Sequence, residues 1–258
     1  NIFSGRRFAM LCRQHLIHNT NFLLLSMVAY IGVVFIVLSV IQVGNALRPH
    51  QVDVFQGSLV ACVAVFAILY VGHAFPAFRT KENTITYLML PASLLEKFVF
   101  EFVSRIVIMI PTLPVLYWVT FHLQGYVFAL FTDAVFQPIG LPYLVKIDVP
   151  ENYGVLIYTL VTASALLALV LAFTGASMFT KQPLVKTLFA VAVVVTFFSV
   201  YSYIVVTHFG VGRYNPPETM FLVPMSNPKA LQLISIALVA AIFVMLYVAF
   251  RRLKEREV

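Results

Sequence analysis

The chain has 258 residues, of which 61% are hydrophobic and only 10% are charged, with a formal net charge of +7. Soluble domains carry about 25% charged residues, so this composition excludes a water-soluble globule and indicates an integral membrane protein. The long unbroken apolar runs differ from the ~10-residue alternating segments of membrane β-strands, so the expected fold is all-α. The modest positive charge on such a chain does not predict a nucleic-acid partner.

The first twenty residues predict a short amphipathic helix ahead of the first span. Arg6 and Arg13 lie seven residues apart on one face of such a helix. A helix of this kind lies in the membrane interface, with its arginines toward lipid phosphates. An ordinary charged flank is the alternative. The apolar face at i, i+3, i+4 and i+8 consists of Phe8, Leu11, Cys12 and Leu16.

Six segments satisfy the length of about 20 mainly apolar residues that a membrane helix needs. The third begins among charges and contains Pro111 and Pro114, so its ends are the least defined. A basic tail at 251–258 follows the last span, and the whole chain forms one transmembrane domain. The predicted spans are 22–43, 54–75, 99–121, 153–178, 184–207 and 230–250.

The basic residues predict the orientation. Most lie in the N-terminal segment, the 76–105 region, the 179–186 loop and the tail, which share one side of a six-span protein. The positive-inside rule places that side, and both termini, in the cytoplasm. We therefore expect a multi-pass protein of the cell (inner) membrane. The other side keeps only Arg48, Lys146, Arg213 and Lys229.

The predicted outer loops differ in length. Residues 122–152 and 208–229 are long, and the second holds four prolines around an apolar patch at 220–223. Such a patch either dips back into the membrane, where protein or water must satisfy its backbone, or packs on the outer surface.

Motifs for catalysis and metal binding are missing from the sequence. There is no G-x-x-x-x-G-K-[ST] loop to hold nucleotide phosphates and no H-E-x-x-H zinc motif. Ser177 lacks the following glycine and the partner histidine of an intramembrane serine protease. His15 and His18 are two ligands without a nearby carboxylate or cysteine, and Cys12 and Cys62 do not suggest a disulfide. We expect no catalytic residue and no metal.

The spans carry few charges. Glu101 and Arg105, an i, i+4 pair at the start of span three, are the clear intramembrane candidates, with Lys97 one turn earlier. They form either a laddered helix end that leaves the interface or a buried ion pair that fixes the helix against its neighbours. Span four carries a small-residue stripe for close helix packing, within or between subunits, at Ser164, Ala168, Ala172 and Ala176.

The segment between spans two and three, "TKENTITYLMLPASLLEKFVF", is organised beyond what a tether requires. Before Pro91 it predicts a short amphipathic helix with an apolar stripe. Pro91 disfavours helical geometry at Leu90. After it, Ser93 and Glu96 match a capping box at the start of the third span. A tether needs only about 2–8 residues, whereas about twenty are used here.

With these features in place, the chain resembles the membrane subunit of a type-2 ABC transporter. The shared features are the N-terminal in-plane helix, the six spans with both ends inside, and "YLMLPASLLEKFVFEF" (87–102), which is similar to the stretch leading into the third span of such permeases. The resemblance implies a homodimeric permease of an ATP-driven exporter. It also implies a separate cytoplasmic ATPase that binds ATP and Mg²⁺, with no cofactor on this chain.

The resemblance also implies roles for individual residues. A coupling helix at 79–90 would dock on the ATPase through Arg79, Lys81, Glu82, Ile85, Leu88 and Leu90. The hinge from this helix into span three would comprise Pro91, Ser93, Glu96, Lys97, Glu101 and Arg105. A path between two copies would be lined by span-five aromatics, Phe197, Phe198, Tyr201 and Tyr203. The alternatives are a stand-alone channel or secondary transporter and a membrane scaffold that transports nothing.

Overall fold

The computed structural model is helical wherever it has regular secondary structure. It describes residues 4–44, 52–76, 84–85, 89, 92–131, 138–146, 154–179, 181–209 and 228–257. In those ranges the elements are α1 (Gly5–Gly44), α2 (Val52–Val71), α3 (Leu94–Phe102), a π-helical segment here called the π turn (Val103–Val107), α4 (Met109–Ala129), α5 (Leu141–Val145), α6 (Gly154–Met178), α7 (Pro183–Phe209) and α8 (Pro228–Glu257).

Six helical stretches are long and apolar enough to cross a membrane, as the sequence predicted. Five of them start close to the predicted bounds, and the first, second and fourth also end close to them. The fifth ends earlier and the sixth later than predicted. The third is longer at both ends. The stretches are Leu23–Val43, Val52–Val71, Leu94–Ala129, Gly154–Met178, Pro183–Tyr201 and Leu231–Glu255.

The first helix differs from the prediction of two separate elements. α1 runs unbroken for 40 residues, so the predicted in-plane helix at 1–20 and the first span are one helix in the described range. The reason is local: residues 8–21 contain neither proline nor glycine, and nothing in that sequence stops a helix. The placement of its first turns in the membrane interface stays a prediction.

The third span also differs from its predicted bounds of 99–121. The helix starts at Leu94, because the capping box at Ser93 starts it there, and continues through the π turn to Ala129 over 36 residues. Pro111 and Pro114 are incorporated into α4 and do not end it. The π turn precedes both prolines, and its wider hydrogen-bonding pattern lets the helix continue through them.

The chain divides into two compact units, and the first comprises Asn1–Tyr70 and Met89–Ile147. Its core lies between α1, α2 and α4. The Tyr30 ring of α1 contacts the Phe66 ring edge-on at 4.8 Å, and its hydroxyl donates to the Leu113 carbonyl at 3.1 Å. Phe55 and Phe121 make a similar edge contact at 5.2 Å. These rings fix three spans around one apolar centre.

The second unit comprises Val71–Leu88 and Asp148–Val258. In it α6 packs against α7 and α8. Only half of the predicted small-residue stripe is buried. Ala172 and Ala176 are buried, whereas Ser164 and Ala168 are exposed. A Cβ at Gly175 would overlap Thr187 of α7, so only glycine permits that approach of the two helices.

Candidate functional site

The predicted docking segment lies mostly outside the described residues. Arg79, Lys81, Glu82, Leu88, Leu90 and Pro91 are all among the residues that the structure does not describe. Thr84 and Ile85 are helical, and the Ile85 side chain is 58% exposed. The site described below therefore begins where the segment ends, at the start of α3.

The predicted capping box is confirmed. The Ser93 hydroxyl accepts a hydrogen bond from the Glu96 N–H at 3.3 Å, and Glu96 Oε2 accepts from the Ser93 N–H at 2.8 Å. Ser93 has extended backbone geometry, with φ −69° and ψ 154°, as an N-cap residue does. Two otherwise unpaired backbone donors are satisfied in this way, which fixes the residue at which α3 begins.

Glu96 also binds the first turn of α1, a contact that lies 92 residues away along the chain. Its Oε1 accepts from the Ser4 N–H at 2.6 Å and lies 3.4 Å from Arg7 Nη2. The Phe8 and Phe100 rings make an edge contact at 6.3 Å beside it. We call Glu96 with Ser4, Arg7 and Ser93 the Glu96 brace.

The electrostatics of the Glu96 brace favour a carboxylate at this position. One buried side chain accepts from backbone N–H groups at the starts of two helices, where the helix dipoles are positive. Charge-assisted hydrogen bonds of this kind are shorter and stronger than neutral ones. Arg7 points its guanidinium to Glu96, and the predicted contact of Arg6 and Arg13 with lipid phosphates stays a prediction. The brace therefore joins the starts of α1 and α3.

One turn further on, Glu101 and Arg105 form a buried ion pair. Arg105 Nε lies 3.5 Å from Glu101 Oε2, and both residues are at most 4% exposed. The guanidinium carbon lies 4.7 Å above the ring of Tyr70 on α2. Of the two readings the sequence left open, the structure favours the buried pair. Lys97 is buried as well.

This ion pair is incompletely satisfied. Glu101 Oε2, Arg105 Nε and Arg105 Nη1 are buried and make no hydrogen bond to any residue in the described part of the chain. A buried charged group without hydrogen bonds costs more than the attraction of a long contact returns. The pair lies where α3 passes into the π turn, with Glu101 in α3 and Arg105 in the turn.

The π turn departs from α-helical hydrogen bonding. The Ile108 N–H donates to the Val103 carbonyl at 3.0 Å, five residues back, where an α-helix would bond four back. Pro111 has no N–H for the Val107 carbonyl, and its ring would collide with that carbonyl in α geometry. The chain accommodates the proline by adding one residue to the turn before it.

Further polar contacts, which the sequence analysis missed, link α4 to α1 and to α2. Gln124 Nε2 donates to Gln42 Oε1 at 2.9 Å and contacts Ser39 Oγ at 3.4 Å. Ser58 Oγ and the Tyr117 hydroxyl lie 2.6 Å apart. A glutamine within a span is a signal for such contacts, but the predicted third span ended at 121 and left Gln124 in a loop.

The predicted path-lining aromatics lie on α7. Phe197, Tyr201 and Tyr203 are each more than half exposed, and the Phe198 side chain is outside the described part. Their role as path lining stays a prediction.

Comparisons with known proteins give no assignment: no protein-family model, curated protein or solved structure matches the chain.

Proposed function

We propose that this chain is the permease subunit of an ATP-driven exporter of the type-2 ABC class. In this proposal two copies form the translocation path in the cell membrane. A separate ATPase on the cytoplasmic side binds ATP and Mg²⁺ and docks on residues 79–90.

The observation that carries the proposal is the Glu96 brace directly after the docking segment. A loop that only tethers two spans has no reason to end in a buried carboxylate that binds the starts of two helices. With the brace, a displacement of residues 79–91 reaches α1 and α3 together. Six helices able to span a membrane are consistent with this role.

The proposed mechanism follows from these contacts. ATP binding closes the two ATPases and displaces the docking segments. Because proline disfavours helical geometry at the residue before it, Pro91 should let the docking segment move as a unit relative to the capped start of α3. The Glu96 brace passes the movement to α1, and the two helices tilt together to open the path between the copies.

Charge reversal in the docking segment tests the proposal. The double variant Lys81→Glu/Glu82→Lys keeps the net charge and inverts the local charge pattern. We expect it to lose co-purification with an ATPase encoded by neighbouring genes and co-expressed with it, while membrane insertion is unchanged. If the tagged parent chain recovers no ATPase at all, the proposed function is wrong.

A matched control is available on α8. Arg252 and Glu255 form an exposed ion pair at 2.8 Å, on the side predicted to be cytoplasmic. The variant Arg252→Glu/Glu255→Arg makes the same kind of exchange away from the docking segment. It should retain the ATPase. Equal loss in both double variants would mean that residues 79–90 are not the docking segment.

A second candidate, a secondary transporter or channel that works alone, is favoured by the buried Glu101–Arg105 pair. Ionisable groups inside a membrane often mark ion or proton pathways. Purified chain in sealed vesicles, with no ATPase present, separates the two functions. Proton or ion flux that is lost in Glu101→Gln would favour this candidate over the permease.

A further inference from the structure

The π turn connects α3 to α4. A π turn holds one residue more than an α turn, so it closes to α geometry by rotation, with no break in the chain. An α-helix advances about 100° per residue. If residues 103–107 became α-helical, α3 would therefore rotate by about 100° relative to α4.

The buried ion pair opposes the π geometry. Glu101 and Arg105 are spaced i, i+4, the spacing at which side chains meet on an α-helix, but the π turn begins between them and shifts their relative direction. They remain 3.5 Å apart, with Arg105 Nε and Nη1 and Glu101 Oε2 lacking hydrogen bonds in the described chain. Closing the turn would bring the pair into α register.

Two other features favour the π geometry. Pro111 cannot bond the Val107 carbonyl and would collide with it in an unbent α-helix. The Glu96 brace holds α3 in its present rotation through its contacts to Ser4 and Arg7 at the start of α1. Opposing contributions of this kind, within about four turns of one helix, are what a two-state element requires.

We propose that the π turn is a two-state rotary joint. In the state described, residues 103–107 are π-helical, the Glu96 brace is formed and the ion pair is unsatisfied. In the second state the turn is α-helical, the ion pair is in register and the brace is broken. This inference does not depend on the proposed function.

The rotation predicts which side chains exchange places. In the described state α3 buries Glu96, Lys97, Phe100 and Glu101. A shift of one residue would bury the next position along in each case. Glu96 and Phe100 would leave the interior, and Phe98 and Phe102 would enter it. Lys97 and Glu101 would remain buried in both states.

Paired cysteine probes report this exchange. In a chain with Cys12→Ser and Cys62→Ala, single cysteines replace Phe98 or Phe100, and a membrane-permeant maleimide measures their labelling rates. In the described state Phe100 is buried and Phe98 is half-buried. Rotation moves the two rates in opposite directions, whereas general loosening of the helix raises both.

Pro111→Ala is the variant that releases the joint, because it restores the N–H and removes the clash at Val107. We expect it to raise labelling several-fold at position 100 and to lower it at position 98. Pro114→Ala is the matched control, since its i−4 carbonyl, Ile110, lies in α4 beyond the π turn. It should leave both rates unchanged.

Deletion of Ser104 locks the joint. The shortened chain has no surplus residue, so an unbroken α-helix keeps α3 in its present rotation. Adding Pro111→Ala to this deletion should then leave both labelling rates unchanged. The proposal is overturned if Pro111→Ala behaves like Pro114→Ala, if it raises both rates, or if its effect persists in the deletion. Should the deletion fail to insert, the proline pair alone decides.

Discussion

Two long spans of this protein, the helix Leu94–Ala129 and α6, are stabilised in opposite ways. The first buries charged side chains and holds them by directed contacts to α1 and α2. The second buries alanine, glycine and hydroxyl side chains, and approaches α7 so closely that a single added methyl overlaps Thr187.

The two spans should therefore tolerate different kinds of substitution. Lipid tails are as apolar as a helix surface, so apolar burial alone does not hold membrane helices together, and packing and hydrogen bonds do. The charged span should be sensitive to loss of one partner and tolerant of changes in size. The stability of the α6 span should depend on side-chain volume at its close helix contacts. Charge changes on other helices should not affect it.

The largest effect is expected for Arg105→Met. Removing one partner of a buried pair leaves Glu101 as an uncompensated buried charge, at a cost of about 3–5 kcal/mol. The midpoint of detergent-induced unfolding measures it. The double variant Glu101→Leu/Arg105→Met should recover most of the loss, since an apolar replacement of both partners is close to neutral. A double variant as unstable as the single one would show that the pair is not coupled.

A smaller loss is expected for Glu96→Gln, because the amide keeps the shape and one acceptor oxygen. Its NH₂ group donates and cannot accept, so either the Ser4 N–H or the Ser93 N–H loses its acceptor. Hydrogen exchange should therefore accelerate several-fold at the start of α1 or of α3. Glu255→Gln, at an exposed carboxylate of α8, is the control and should leave both regions unchanged. Unchanged exchange in Glu96→Gln would contradict the Glu96 brace.

The comparison also separates what the sequence could predict from what it could not. Six spans and the Ser93–Glu96 box depend on composition and on spacing within four residues, and both were predicted. The Ser4–Glu96 contact spans 92 residues, and no local pattern carries it.

Local patterns also gave wrong bounds for the third span. This span begins among charges and contains Pro111 and Pro114, which left its ends poorly defined, and the predicted end at 121 falls short of Ala129. Only the packed structure shows that a π turn can carry the helix past them. The cluster around Gln124 was missed for the same reason.

On the α6 side, Gly175→Ala tests the sensitivity to volume. Its Cβ would overlap the Thr187 side chain, so α6 and α7 must separate, at about 1–3 kcal/mol for an overpacked contact. Gly32→Ala is the control: nothing lies within 4 Å of a Cβ there, and replacing a mid-helix glycine should stabilise by about 0.5–1 kcal/mol. The same unfolding measurement applies, and opposite signs for the two variants are the expected result.

The smallest effect is expected for Tyr117→Phe, on the polar contacts that join α4 to α2. The hydroxyl lies 2.6 Å from Ser58 Oγ and donates to the Phe55 carbonyl at 3.1 Å. Hydrogen bonds between membrane helices contribute on average about 0.6 kcal/mol, and Ser58 keeps its own bond to Phe55 at 3.0 Å after the change. The loss should therefore stay below about 1 kcal/mol. A loss as large as that of Arg105→Met would mean that neutral hydrogen bonds stabilise this unit as much as its charges do, and the contrast between the two spans would then be one of polarity and not of charge.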